Sequence, residues 1–191
     1  MTLQRHWDTR AALNFMLGGS GAGLMICAAL AQISSPYPVV LSLALVGTGL
    51  FAVWLEIGRK LRALHVLFNP FTSWMTRESF AALLLFALGL GALLDPDILI
   101  GAAIAAAAFL YCQARILRAA KGIPAWRSPW VVPLIIVAGL AEGAALLLLF
   151  EGNFLGLPVL AGGWWIKLSL VTRRAHKQAP RLPSLPVRGT R

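Results

Sequence analysis

The amino-acid sequence predicts an all-α fold, a polytopic membrane helical bundle of about six transmembrane helices with both termini cytoplasmic. Three observations predict it. Apolar residues make up 59% of the 191 and charged residues 13%, with a mean hydropathy of +0.76, whereas soluble chains carry about 25% charged residues. The apolar residues gather into six stretches, at about 11–33, 39–57, 79–94, 98–114, 129–150 and 154–171. The connections between them alternate strictly between basic and base-free.

A helix crossing a hydrocarbon core of about 30 Å needs roughly 17–25 residues, so the first, second and fifth stretches suffice by length. The first follows Arg5 and Arg10, and its 23 residues exceed the apolar region of a cleavable leader, so it reads as a retained helix. The third and fourth are short and are divided by Asp95-Pro96-Asp97. Proline cannot continue a helix, and two carboxylates would not sit in mid-bilayer, so this tripeptide reads as the turn of a tight helical hairpin. Unbroken apolar runs at Ala102–Ala108 and Leu146–Leu149 exclude the period-two pattern of a membrane barrel. The division is therefore a bundle over residues 1–172 and a basic, Pro-rich cytoplasmic tail over 173–191.

Orientation follows from charge. Arg5 and Arg10 precede the first helix, while Gln32 to Pro38 carries no charge. Arg59, Lys60, Arg62 and Arg77 fall in the next connection, and the Asp95/Asp97 turn has no base. Arg115, Arg118, Lys121 and Arg127 follow, then Glu151 alone, then Lys167 near the inner end of the last helix and a tail with six more bases. The positive-inside rule puts both termini and both long loops on the cytoplasmic face of the membrane. The net charge of +10 is thus a topology signal drawn to anionic lipid, with no implication of nucleic acid.

Candidate chemistry is narrow. Cys27 and Cys112 lie inside separate helices, and His6, His65 and His176 lie in polar segments. The chain therefore has ligands for neither an iron–sulfur cluster nor an intramembrane haem, and no metal set. Ionisable residues at membrane depth are functional suspects by default. Glu56 ends the second helix on the basic side. Glu142 lies 13 residues past Pro129, about 20 Å along its helix, where it is either a proton-path or ion-site residue or an acid bonded between helices. Gly19-x-x-x-Gly23 and Gly139-x-x-x-Gly143 are close helix-packing spacings. Trp7, Trp54, Trp74, Trp126 and Trp130 cluster near the basic helix ends, as an interfacial aromatic belt does.

The two long loops hold more than positive charge. The first reads Glu56-Ile57-Gly58-Arg59-Lys60-Leu61-Arg62-Ala63-Leu64, then Ser73-Trp74-Met75-Thr76-Arg77-Glu78. The second holds Ala114-Arg115 and Gly122-Ile123-Pro124-Ala125-Trp126 ahead of a Pro-bearing helix. Ser73, Thr76 and Glu78 are also ordinary helix-capping residues. The pair of segments, about residues 54–80 and 111–134, resembles the NrfD/DmsC family of membrane anchors of molybdenum–iron–sulfur oxidoreductases. Three features depart from that pattern. Family members commonly have about eight helices. Glu56 stands where the dimethyl sulfoxide reductase anchors carry a His implicated in quinol binding. The charge pattern turns the motif loops inward, which is similar to the small membrane subunits of phenylacetyl-CoA:acceptor oxidoreductases.

The resemblance implies a non-catalytic anchor and quinone-reactive subunit. An iron–sulfur subunit of a molybdopterin enzyme would dock on Arg59, Lys60, Arg62, Arg115 and Arg118. A quinone, menaquinone or ubiquinone, would be held by His65, Trp74, Arg77 and Trp126, with Glu56 exchanging its proton. The alternatives are a small proton- or ion-coupled transporter using Glu142, which lacks a second intramembrane polar group in this reading, and a purely structural tether.

Overall fold

The computed structural model describes residues 9–33, 35–56, 65, 67–120 and 122–173, and every regular element among them is helical. Helix α1 spans Thr9–Leu30 and is interrupted by a π-turn at Asn14–Gly18. Then come α2 (Pro36–Glu56), α3 (Trp74–Ala92), α4 (Leu99–Ala119), α5 (Val131–Phe150) and α6 (Gly156–Leu168). Five of these, α1 to α5, are long and apolar enough to cross a membrane. The sixth apolar stretch forms a shorter helix of 13 residues, extended by a second π-turn at Ser169–Arg173.

Helix ends are set by capping chemistry rather than by hydropathy. Ser73 has extended backbone and its hydroxyl accepts the Thr76 N–H at 3.3 Å, which starts α3 five residues before its apolar stretch. Between α3 and α4, the Asp95 carboxylate accepts the Asp97 N–H at 3.0 Å and Pro96 opens a 3-10 turn, so the tripeptide is the hairpin turn expected. α5 ends where Gly152 takes a φ of +76° and the Asn153 N–H closes back on the Leu148 carbonyl at 2.8 Å.

Alternating helix directions bring Arg10, His65, Arg77, Arg115, Arg118, Arg127 and Arg173 to one end, and Asp95, Asp97 and Glu151 to the other. The first is called the basic end below. α1 is the central helix: 67% of its apolar window is buried inside the protein, against 33% for α2 and for α5. It packs on α2, α4 and α5, while α3 and α4 form the tight hairpin. Centrality follows from side-chain size, since Gly18, Gly19, Ser20, Gly21, Ala22 and Gly23 let neighbouring backbones approach. At Gly23 a β-carbon would overlap the Gly139 carbonyl, and at Gly143 it would overlap the Gly23–Leu24 backbone. The lipid-facing helix surfaces are Leu83, Leu84, Ile100, Ile104, Val137 and similar residues, all well exposed.

Candidate functional site

Inside this apolar shell the buried polar and charged side chains are few. Among the described residues they are Asn14, Ser20, Ser42, Thr76, Glu78, Gln113, Glu142 and Lys167. Six of the eight are joined into two neighbouring groups around α1.

The deeper group is centred on a charge pair. Lys167 Nζ of α6 donates to Glu142 Oε2 of α5 at 2.6 Å, and both side chains are 0% exposed. Ser20 Oγ of α1 lies 2.7 Å from the same carboxylate oxygen and 2.8 Å from the Met16 carbonyl. Its single proton serves one acceptor or the other. The Trp164 indole N–H donates to Ser20 Oγ at 2.9 Å. Glu142 Oε1 has no hydrogen-bond partner among the described residues.

The second group lies nearer the basic end. Asn14, first residue of the π-turn, donates through Nδ2 to Glu78 Oε1 at 3.3 Å, and its own carbonyl accepts Gln113 Nε2 at 2.9 Å. Glu78 is 5% exposed and Gln113 is 0% exposed. π-turns interrupt the regular helix ladder and recur at functional sites. Asn14 Oδ1 and Gln113 Oε1 are, like Glu142 Oε1, buried acceptors without a partner among the described residues. Gly19 connects the groups: Lys167 Nζ and Gln113 Oε1 both lie within 4 Å of the point a Gly19 β-carbon would occupy. The two groups therefore border the same small residue of α1.

Sequence reading identified Glu142 but assigned Lys167 to the inner helix end and Glu78 to a cap. Lys167 is instead fully buried, turned inward against Glu142 of the neighbouring helix. Glu78 turns into the bundle, leaving the capping to Ser73. Glu142, expected to lack a second intramembrane polar group, therefore shares the bundle interior with Lys167, Gln113 and Glu78. An ionisable residue interrupting an apolar run was the available signal for Lys167.

The two loop motifs converge at the basic end. The Arg77 and Arg115 guanidinium carbons each lie 4.3 Å from the Trp74 ring centroid, and Tyr111 meets that ring edge-on at 5.8 Å. Arg115 also donates to the Tyr111 hydroxyl at 2.7 Å. Arg77 donates through Nε to the Pro70 carbonyl at 2.8 Å and through Nη2 to the Phe71 carbonyl at 2.6 Å, fastening the loop to α3. Each such cation–indole contact contributes about 0.5–1 kcal/mol near a surface. Arg118 is exposed one turn further along α4, and His65 is exposed with its ring edge against Phe68 at 5.7 Å.

Trp126 stands apart from this cluster. It is 0% exposed within the core, and its indole N–H donates to the Leu170 carbonyl at 3.1 Å. Its surface is taken up by packing, which leaves no free ring face for a ligand. Trp126→Phe is expected to leave that carbonyl buried without its donor and to lower stability by about 1–3 kcal/mol, read as a lower Tm in detergent. Arg59, Lys60 and Arg62 lie outside the described residues, as does the side chain of Glu56, whose backbone ends α2.

Beside Trp126, a groove of about 780 Å³ runs between the start of α5 and the end of α6. Trp130 and Trp165, 76% and 59% exposed, stand on its walls with Leu134, Ile166, Ser128 and Ser169. The Arg173 guanidinium lies 4.9 Å from the Trp165 ring. Among the described residues no group of three His, Cys, Asp or Glu could hold a metal ion. Comparison with known proteins returns no match among family models, curated proteins or solved structures.

Proposed function

We propose that the chain is the membrane anchor and quinone-reactive subunit of a molybdopterin oxidoreductase, crossing a bacterial cytoplasmic membrane with six helices and with both termini inside. One observation carries the reading. The two loop segments that resemble the NrfD/DmsC anchors meet in one Arg77–Trp74–Arg115 cluster at the basic end. Rigid aromatic and Arg side chains of this kind are what binding hot spots are made of. An iron–sulfur subunit with an acidic face would dock on this cluster and on Arg118, with Arg59, Lys60 and Arg62 adjoining in sequence. The groove between α5 and α6 suits a prenylated quinone arriving from lipid, because its walls are mainly apolar with two indoles for the ring. Glu56, at the basic end of α2, would exchange the proton that accompanies each electron.

The test is purification of the tagged full-length chain from its native membranes, with iron, acid-labile sulfide, molybdenum and quinone measured in the preparation. Iron, sulfide and molybdenum are expected in fixed ratio to the chain. The double substitution of Trp74→Ala with Arg115→Glu is expected to lower their retention roughly 30-fold, the effect of losing about 2 kcal/mol at a hot spot. A metal-free wild-type preparation sinks the reading, and metal without quinone reduces it to a tether. The Glu142–Lys167 pair favours a second reading, a small proton- or ion-coupled transporter.

A further inference from the structure

We infer that Glu78, Asn14, Gln113, Lys167 and Glu142 form a proton-uptake path that enters from the basic face and ends on the Glu142–Lys167 pair near mid-membrane.

Structural stabilisation alone accounts poorly for this set. A buried ion pair gains from its own attraction about what desolvation costs, and an apolar pair of similar volume is often as stable or more so. Between helices in lipid, polar contacts add only about 0.6 kcal/mol each on average. Three buried oxygens, Asn14 Oδ1, Gln113 Oε1 and Glu142 Oε1, meet no donor among the described residues, and each such group costs about 1–3 kcal/mol. All three are acceptors. A row of buried acceptors beside an ammonium group suits orienting water for proton passage better than it suits holding helices.

The arrangement is also one-sided. Glu78 lies in the second turn of α3 at the basic end. Gln113 and Asn14 come next inward, and Lys167, Glu142 and Ser20 come last. Beyond them, toward the acidic end, the described part of the bundle holds one buried polar side chain, Ser42, whose hydroxyl donates to the Gly21 carbonyl at 2.6 Å. The remainder of α1 and α5 on that side is apolar or small, with Leu24, Met25, Ala28 and Ala145 all buried. Among the described residues, Cys112 lies near Glu78 and Arg77, and Lys167 faces Glu142.

In operation, the Glu78 carboxylate takes a proton from solution and passes it to water oriented by the Asn14 and Gln113 amides. The Lys167 amine receives it across the Gly19 gap. A proton already on Lys167 moves along the 2.6 Å contact to Glu142 Oε2. As Glu142 becomes neutral, Ser20 turns its hydroxyl to the Met16 carbonyl. Each group regains a proton from the one before it. The net result is one proton moved from solution to Glu142 and one positive charge displaced into the membrane, with no oxidant or reductant required. The direction rests on the cytoplasmic assignment of the basic face; the path itself does not depend on the redox reading.

The full-length protein, reconstituted in liposomes on a solid-supported membrane, tests this by an acid step. Trypsin access to the Arg- and Lys-rich tail reports which vesicles present the basic face. Those vesicles are expected to give an inward transient of positive charge. Glu78→Gln keeps an acceptor for Asn14 yet carries no proton, and should slow the transient about a hundredfold. Glu142→Leu with Lys167→Met leaves no unpaired charge and should reduce the current to that of protein-free liposomes while the melting curve is kept. Ser42→Ala should leave it unchanged. A wild-type current no larger than that of empty liposomes overturns the path, and so does a double variant that retains the wild-type current. A transient seen only with the acidic face outward overturns uptake from the basic side. Since no partner is present, failure of the anchor reading would leave all of these results intact.

Discussion

Lys167→Met alone is expected to lower the unfolding free energy by about 3–5 kcal/mol, while Lys167→Met combined with Glu142→Leu returns it to within about 1 kcal/mol of the parent or above it. The asymmetry comes from what each change leaves behind. The single substitution strands the Glu142 carboxylate at 0% exposure with Ser20 as its remaining donor. The double substitution removes both charges and keeps the volume of both side chains in place. Reversible unfolding in mixed detergent and SDS micelles measures the difference. A double variant no more stable than the single one would mean that packing, and not charge, makes this site sensitive. The result also bears on the transient-current experiment, which relies on a folded, uncharged double variant.

Gly23→Leu is expected to prevent closure of α1 on α5, with a loss at or above the upper end of the roughly 1–3 kcal/mol typical of overpacking. A β-carbon at Gly23 would meet backbone on α5, the Gly139 carbonyl, and backbone cannot swing aside as a side chain does. Gly143→Leu should behave alike, since it meets the Gly23–Leu24 backbone from the other side. Gly162→Ala in α6 is the contrast. Nothing lies within 4 Å of its β-carbon, so it should be neutral or stabilising by up to about 1 kcal/mol through helix propensity. Yield of folded protein by size-exclusion chromatography, followed by thermal melts, separates the three variants. Equal behaviour of Gly23→Leu and Gly162→Ala would show that the α1–α5 contact is not as close as the structure has it.

Much of the architecture was legible from residues alone. Asp95-Pro96-Asp97 announced its hairpin because a proline and two carboxylates have a single comfortable place near a bilayer, outside it. The Gly19/Gly23 and Gly139/Gly143 spacings announced close contact, and those two pairs do face each other across α1 and α5. Boundaries were less legible. α3 begins at Trp74 rather than in the apolar stretch because Ser73 caps it, and α4 runs on to Ala119 through Arg115 and Arg118. A helix can extend into water wherever its polar residues find solvent or a cap, so hydropathy underestimates its length.

The site was half legible. Glu142 stood out as an acid in an apolar run, and Trp74, Arg77 and Arg115 stood out in the loop motifs. Lys167 lies close to the end of its apolar stretch, a position that predicts an interfacial side chain, yet it is fully buried. Glu78 stands close to a helix start beside Ser73 and Thr76, a setting that predicts capping, yet it faces the bundle interior. Trp126 looked like its neighbours in an aromatic belt but is packed under Leu170. In each case the deciding quantity was the direction in which the helix turned the side chain.

What the sequence determined by itself is the class of molecule. Backbone groups in lipid must bond within their own helix, and the number of apolar residues between charged connections sets where helices can cross. Both are properties read along one dimension. What the tertiary structure decided is which buried groups meet. Glu142 and Lys167 are 25 residues apart, Ser20 and Glu142 are 122 apart, and Gln113 and Asn14 are 99 apart. Their contacts depend on helix rotation, on the π-turn in α1 and on which neighbours Gly19 faces. None of these is encoded by local composition, because each arises from how closely one backbone can lie against another.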